Sequence, residues 1–223
     1  EWTPTVIVSY TPWKNAGLSI RAFYKKIFRM PTFNDLYYVQ LGNRNLRPEY
    51  TVQYNVGISY NKTFRNAWFA GLRASVDAYY NTVKDKIIAT PTSNQLVWTM
   101  VNLGYVEVRG VDVALMPSMR FGPVGVTVML NYTWQKAQDF TETKKDEGYE
   151  GVISTYGDQI PYVPVHSGSA VLSVSYGTWD FHYSFVYTGE RYMLGGNVPV
   201  NYILPWYTSD LSLSKVFGIG KTE

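Results

Sequence analysis

Cysteine is absent from the 223 residues. That excludes both a disulfide framework and a thiolate metal site. Histidine occurs only twice, at His166 and His182, in different segments and without a matching nucleophile, so structural or lumen-lining roles are expected rather than catalysis. Charged residues are scarce at 17%, and nearly balanced at net +3. So weak and dispersed a charge argues against nucleic acid as a partner. No apolar run reaches the roughly 18 residues of a transmembrane helix. No segment offers a convincing helical period, and no linker divides the chain. A secretory leader is also lacking, and Glu1 opens inside strand-like sequence, so the chain is expected to be a mature piece or a fragment. No catalytic residue, metal ligand set or cofactor is expected, and the chain does not read as an enzyme.

What is abundant is aromatic and alternating. Aromatics make up 17% of the chain, with 20 Tyr and 7 Trp. In residues 124–136, Val126, Val128, Leu130, Tyr132 and Trp134 fall on one face of a strand, opposite Thr127, Asn131, Thr133 and Gln135. In residues 50–60, Val52, Tyr54, Val56, Ile58 and Tyr60 oppose Gln53, Asn55, Gly57 and Ser59. In residues 67–80, Trp68, Leu72, Val76 and Tyr80 oppose Arg73, Ser75 and Asp77. Further strands are predicted near 5–13, 17–29, 95–117, 165–176, 179–190 and 206–217. The fold class is all-β, with about nine antiparallel strands.

Alternation fits a soluble sandwich and also a membrane barrel, in which apolar residues face lipid and polar ones the interior. Three features favour the barrel. Trp68 and Tyr80 stand near the two ends of one strand, and twelve residues at about 3.3 Å rise and roughly 45° tilt give roughly 28 Å, the height of an apolar band between aromatic girdles. Tyr60, Tyr132, Trp134, Tyr176 and Trp179 also fall at strand ends. The stretches 67–88 and 95–117 are far longer than ordinary strands. Short turn-like connections (WKNAG, YNKTFRNA, RFGPV, YGTWD, FGIGK) alternate with long ones at 30–48, 90–95, 138–164 and 191–205. That is the periplasmic–extracellular asymmetry of outer-membrane barrels.

The stretch RMPTFNDLYYVQLGNRNLRPE, residues 29–49, does not alternate. It resembles the signature of TonB-dependent outer-membrane receptors, Arg-x-Pro-Thr followed by Leu-Tyr and then Gly-Asn, Leu and Pro-Glu. The matching residues are Arg29, Pro31, Thr32, Asp35, Leu36 and Tyr37, then Gly42, Asn43, Leu46, Pro48 and Glu49. The likeness continues in VNLGYVEVRGVDVAL, IPYVPVHSGSAVLSVSY and YTGERY, and is similar to the vitamin B12 and siderophore branch. It implies an antiparallel transmembrane β-barrel of about 22 strands. This chain would then be a C-terminal portion, residues 1–223, with the plug domain and last strands absent. The implied partners are outer-membrane lipid, TonB through the absent N-terminal region, and a cobalamin, ferric-siderophore or haem-like ligand imported with TonB-supplied energy. A glycan importer of the starch-utilisation type, a passive porin and a surface adhesin are the alternatives.

Such ligands offer flat, partly apolar surfaces against which tyrosine and tryptophan stack. The candidate ligand-binding residues in the long connections are Tyr37, Tyr38, Tyr149, Tyr156, Tyr192, Tyr202 and Trp206, with Arg191 for an anionic group. The acidic residues Asp139, Glu142, Asp146, Glu147, Glu150 and Asp158 read as a solvated loop in preference to a Ca²⁺ site, since Lys144 and Lys145 are interspersed and EF-type spacing is lacking. GIGKT at 218–222 lacks the first P-loop glycine, because position 215 is Lys215, and reads as a turn.

Overall fold

The computed structural model describes residues 2–13, 15–66, 68–91, 97–141 and 155–217. The GIGKT stretch, Tyr149 and the acidic run at 142–150 lie outside the described residues. The elements in chain order are β1 (Thr5–Tyr10), β2 (Leu18–Arg29), α1 (Phe33–Tyr37), β3 (Glu49–Thr63), β4 (Phe69–Pro91), β5 (Trp98–Phe121), β6 (Val124–Asp139), β7 (His166–Tyr176), β8 (Trp179–Thr188), β9 (Arg191–Tyr192), β10 (Tyr202–Ile203) and β11 (Trp206–Lys215). A single 3₁₀ turn spans Pro199–Asn201. Nine of the strands form one antiparallel meander, β1-β2-β3-β4-β5-β6-β7-β8-β11, and β9 pairs with β10 alone.

All nine predicted strands are present. β1 stops at Tyr10 rather than 13, where Pro12 lacks the N–H that a ladder needs. β4 and β5 run to 23 and 24 residues, beyond the predicted ends. α1 and the 3₁₀ turn escape a search for helical periodicity because five and three residues cannot show one. At the short-turn end, Gly122 and Gly177 each adopt a φ of 59° as the first of two turn residues, as primed hairpin turns require.

Register carries the alternation across the whole sheet. Tyr24, Tyr54 and Tyr80 are successive cross-strand partners. One rung towards the turn end run Ala22, Val56, Ala78, Val111 and Trp134. The next rung runs from Ile58, Val76 and Val113 to Tyr132 and, beyond Gly168, to Tyr187 and Tyr207. The aromatic belt therefore steps down relative to the rungs from β4 to β8, as strands tilted to a barrel axis demand. A second belt lies at the turn end, where Trp68 stacks on Phe121 at 6.5 Å and Tyr176 is the register partner of Trp179.

The opposite face is polar. Arg21 reaches across Gly57 to bond Asp77 at 2.8 Å. A Cβ at Gly57 would lie 2.1 Å from Asp77 Oδ1, so only glycine permits that bridge. In the same row Thr133 Oγ1 donates to Asp112 Oδ1 at 2.7 Å.

Burial decides between the two architectures. Val56, on the apolar face, is 56% exposed, whereas Val106 on the polar side is fully buried. A core cluster among the described residues, Val83, Val106, Ala137 and Ile160, forms where the 155–165 segment folds over the polar face near the long-loop end. No second layer covers the apolar face among the described residues. In water, that much uncovered apolar surface would drive association; in a bilayer it faces lipid.

Candidate functional site

The long connections all emerge from one end of the sheet, and two of them are described through most of their length. Residues 30–48 form a latched loop. The Thr32 hydroxyl accepts from Asp35 N at 3.2 Å, and Asp35 Oδ2 accepts from Thr32 N at 2.8 Å. This reciprocal capping box starts α1. Arg29 donates with one guanidinium nitrogen to Asp35 and with the other to Glu49, each at 3.1 Å. Glu49 is buried; its Oε1 accepts from Ile87 N at 2.6 Å and lies 3.4 Å from Lys86 Nζ.

After α1 the chain turns sharply. Gly42 N donates to Tyr38 O at 2.6 Å. A Cβ on Gly42 would stand 2.7 Å from Tyr38 N, so the turn needs glycine. Asn43 then spends all its polar groups: N to Asp35 O at 2.8 Å, Nδ2 to Met100 O at 2.9 Å, and Oδ1 accepting from Asn45 N at 2.9 Å. Leu36 and Leu46 are half-buried beneath this framework, and Pro31 and Pro48 bracket it. Arg47 closes the latch with a 2.6 Å ion pair to Asp85. The Asn102 amide exchanges hydrogen bonds with the Arg47 backbone and also donates to Asp85 O at 2.8 Å. Asp85 holds a φ of 57° inside β4, a strained conformation that these partners stabilise.

Partial burial raises the Asp35 pKa, but the two Thr32 hydrogen bonds and the Arg29 charge outweigh it, and the net shift is below the ordinary 3.8. Of the candidate ligand residues in this loop, Tyr37 packs on Phe33 at 4.7 Å and lies beneath the Arg44 guanidinium at 5.3 Å. Tyr38 is half-exposed.

The 189–205 connection is built differently. β9 and β10 pair Arg191 with Ile203 and Tyr192 with Tyr202. The two phenol rings meet edge to face at 5.9 Å. Tyr202 donates to Glu190 Oε2 at 2.9 Å, and this bond raises its pKa above the usual 10.0, with smaller contributions from desolvation and the Glu190 charge. Among the described residues Arg191 donates to the Gly189 carbonyl, at 3.4 Å. Trp206 opens β11 opposite Thr188 and is exposed.

The 155–165 segment ties the loops together. Gln159 Oε1 accepts from Ala137 N at 3.0 Å, Gln159 N donates to Asn197 Oδ1 at 2.8 Å, and Tyr162 N donates to Tyr192 O at 2.8 Å. Tyr156 meets Phe140 edge-on at 5.3 Å. Of the acidic residues, Asp139 accepts from Thr141 and Thr155, and Asp158 accepts from Asn197 N. These carboxylates brace the loop. The histidines are separate: His166 Nδ1 meets Tyr132 Oη at 2.8 Å and His182 Nδ1 meets Ser173 Oγ at 2.9 Å.

Fold and site thus bring Arg191, Tyr192 and Tyr202 together, place Tyr37 and Tyr38 on the latched loop, and leave Tyr156 and Trp206 on separate elements. Sequence reasoning missed Arg47, Asp85, Lys86, Gln159 and Asn197. Asn102 stood inside the quoted VNLGY stretch, but its role as a bridge was not readable there. The others carry no local signal, since each acts on a residue at least 37 positions away or on a loop that exists only after folding.

A membrane-height antiparallel sheet with an apolar outer face, two aromatic belts and all long connections at one end is the wall of an outer-membrane β-barrel. Residues 1–218 match the family model for the TonB dependent receptor-like β-barrel, and the chain belongs to that family. It is a family of receptors, not an enzyme class. The vitamin B12 transporter BtuB of Vibrio vulnificus is 33% identical over 86 residues, 39% of this chain and 13% of the transporter. Among solved structures, the ferric enterobactin receptor PfeA from Pseudomonas aeruginosa aligns over 98% of this chain and 33% of its own, with 16% identity and a TM-score of 0.65. The copper transporter OprC aligns over 94% of this chain and 30% of its own, with 15% identity and a TM-score of 0.64. The chain thus spans about a third of the length of these structures.

Proposed function

We propose that this chain supplies part of the wall and extracellular mouth of an active importer. In this reading it is a C-terminal portion of a barrel of about 22 strands, completed by further strands and filled by a plug domain through which TonB delivers energy. The ligand is a scarce, large molecule: a cobalamin, a ferric siderophore or a haem-like compound. The observation that carries the reading is the 29–49 signature folded into an ion-paired latch at the long-loop end of a membrane-height sheet. The vitamin B12 transporter relative supports cobalamin as the first ligand to try.

Capture falls to the aromatic groups that the latch leaves at the surface. Arg191, Tyr192, Tyr202 and Trp206 offer rings and one cation on adjacent elements, and Tyr37, Tyr38, Tyr149 and Tyr156 are further candidates. Ligands of this size cross a narrow pore too slowly by diffusion, so they are bound outside and released by work done on the plug. The test is uptake of radiolabelled cyanocobalamin, and separately of labelled ferric siderophores, by cells expressing the complete receptor with and without TonB. Saturable, TonB-dependent uptake of one of them is expected. Uptake linear in concentration and indifferent to TonB would make the protein a passive porin.

A further inference from the structure

Two residues other than glycine hold a positive φ among the described residues, Asp85 at 57° and Tyr162 at 62°. Aspartate tolerates that left-handed region better than most side chains, and a bulky tyrosine there is strained. For Asp85 the contacts account for the strain, since its carboxylate pairs with Arg47 and its carbonyl accepts from Asn102. Nothing comparable holds the Tyr162 side chain. Among the described residues its ring makes no aromatic contact and its hydroxyl no hydrogen bond, and the residue is 50% exposed.

The backbone around Tyr162 is a bulge. Gln135 N donates to Val165 O at 2.8 Å, and pairing with β6 resumes where Ile160 N donates to Ala137 O at 2.8 Å and Gln138 bridges to Gln159. Between these rungs β6 advances three residues, from 135 to 138, while its partner advances six, from 165 to 159. Pro161 and Pro164 bound the excess, and neither has an N–H to give a ladder. The Gln159 carboxamide stands in for the missing rung: its Oε1 accepts from Ala137 N at 3.0 Å and its Nε2 donates to Val163 O at 3.2 Å. Within the bulge, Tyr162 N donates to Tyr192 O at 2.8 Å, which ties it to the β9–β10 pair. Bulges of this kind re-aim a side chain and recur beside functional sites.

A chain that needed only to cross this gap would be served by glycine or asparagine at a φ of 62°. The packing of the bulge comes from Val163, which lies against the core cluster, not from Tyr162. The tyrosine therefore stands against its local conformational preference without a contact in the wall to offset the strain.

We infer that Tyr162 contacts the ligand, presenting its ring to a flat conjugated face such as a corrin, a porphyrin or a catecholate. The inference rests on the import reading above and adds to it a residue from the 155–165 segment. A ring whose backbone is fixed before the ligand arrives loses little freedom on binding, and tyrosine offers a large contact face with only two side-chain torsions. Through the Tyr192 bond its neighbours are the Tyr192–Tyr202 pair and Arg191, with Glu190 on the Tyr202 hydroxyl. Charge of both signs is present there, so stacking rather than ion pairing carries the contact.

The experiment pairs affinity with local stability in the purified full-length receptor, with cyanocobalamin, haemin and ferric enterobactin as probes. Tyr162→Asn suits the left-handed backbone and removes the ring, whereas Tyr162→Phe keeps the ring. For a probe that the natural receptor binds, Tyr162→Asn should lose about fivefold or more in affinity. Hydrogen exchange over 155–165 should meanwhile stay as slow as in the natural protein, or slow further. Tyr162→Phe should hold its affinity within about twofold. Unchanged affinity in Tyr162→Asn overturns the proposal, and so does faster exchange over 155–165, which would make the ring a packing element. An equal loss in Tyr162→Phe also overturns it, because the hydroxyl and not the ring would then be the contact. If the natural receptor binds none of the three probes, the import reading falls and the role of Tyr162 falls with it.

Discussion

Two connections at the same end of the sheet are held by different forces. The 30–48 loop is held by charge: Arg29 bridges Asp35 and a buried Glu49, and Arg47 pairs with Asp85. The 189–205 connection has no salt bridge among the described residues and is closed by paired tyrosines, a two-residue ladder and the Asn197 amide. Most of the signature residues of the first loop therefore have their polar groups committed to the protein itself. The second leaves the Arg191 guanidinium and the Tyr192 ring half-buried and the Tyr202 ring exposed, with the Tyr202 hydroxyl on Glu190. The motif that identifies the family is a piece of scaffold, and under the proposed function capture falls to groups outside it.

Glu49→Ala should break this contrast most severely. It removes the carboxylate that joins Arg29, Lys86 and the Ile87 amide. Breaking a buried ion pair costs about 3–5 kcal/mol, and because Arg29 is partly exposed the loss should fall at the lower end, about 3 kcal/mol. Hydrogen exchange should show protection of 30–48 falling by about two orders of magnitude, with 189–205 unchanged. Equal loosening of both would mean that they form one unit.

Tyr192→Ala and Tyr202→Ala probe the other side of the comparison. If these rings anchor the ligand, each should weaken binding by about 1–3 kcal/mol, roughly 5- to 150-fold in Kd, in a titration of the purified full-length receptor. Thr63→Ala, at the turn end of β3, should leave affinity unchanged. A null result at both tyrosines would move capture to the latched loop or to residues beyond these two connections.

The wall was legible in the sequence because its rule is local. Val126 to Trp134 alternate, and pairing across β5, β6 and β7 keeps that alternation in register. The latch was legible only as a motif. Thr32 and Asp35 have capping-box spacing, which a sequence can show, but the partners of Glu49 and Arg47 come from β4, 37 and 38 residues away. The buried Gln159 was not legible at all, since its amide serves the edge of β6 and the Asn197 loop at once. Long-range polar pairing has no period, so spacing cannot announce it.

Thr32→Ala should have a smaller effect than either change above. It removes one member of the capping box, and N-cap losses cost about 1 kcal/mol. Fraying should be confined to residues 32–38, and Thr32→Ser should restore protection.

The smallest effect sharpens the contrast through pH. The Asp35 carboxyl titrates below its ordinary 3.8 because the folded loop favours the carboxylate. A group depressed in the folded state contributes stability above its unfolded pKa and loses it as pH falls through the folded value. Protection of the 30–48 loop should therefore hold steady down to about pH 4 and decline below it. Glu49 belongs to the same cluster, so the measurement is the difference between the natural protein and Asp35→Asn, compared by hydrogen exchange across that range. The variant should be looser at neutral pH and converge with the natural protein as acid protonates Asp35. The 189–205 connection has its own carboxylate, Glu190 on the Tyr202 hydroxyl, which is common to both proteins and makes no contact with Asp35 among the described residues. It should show no difference between the two proteins. A difference that persisted unchanged into acid would mean that the Asp35 charge does not hold the loop.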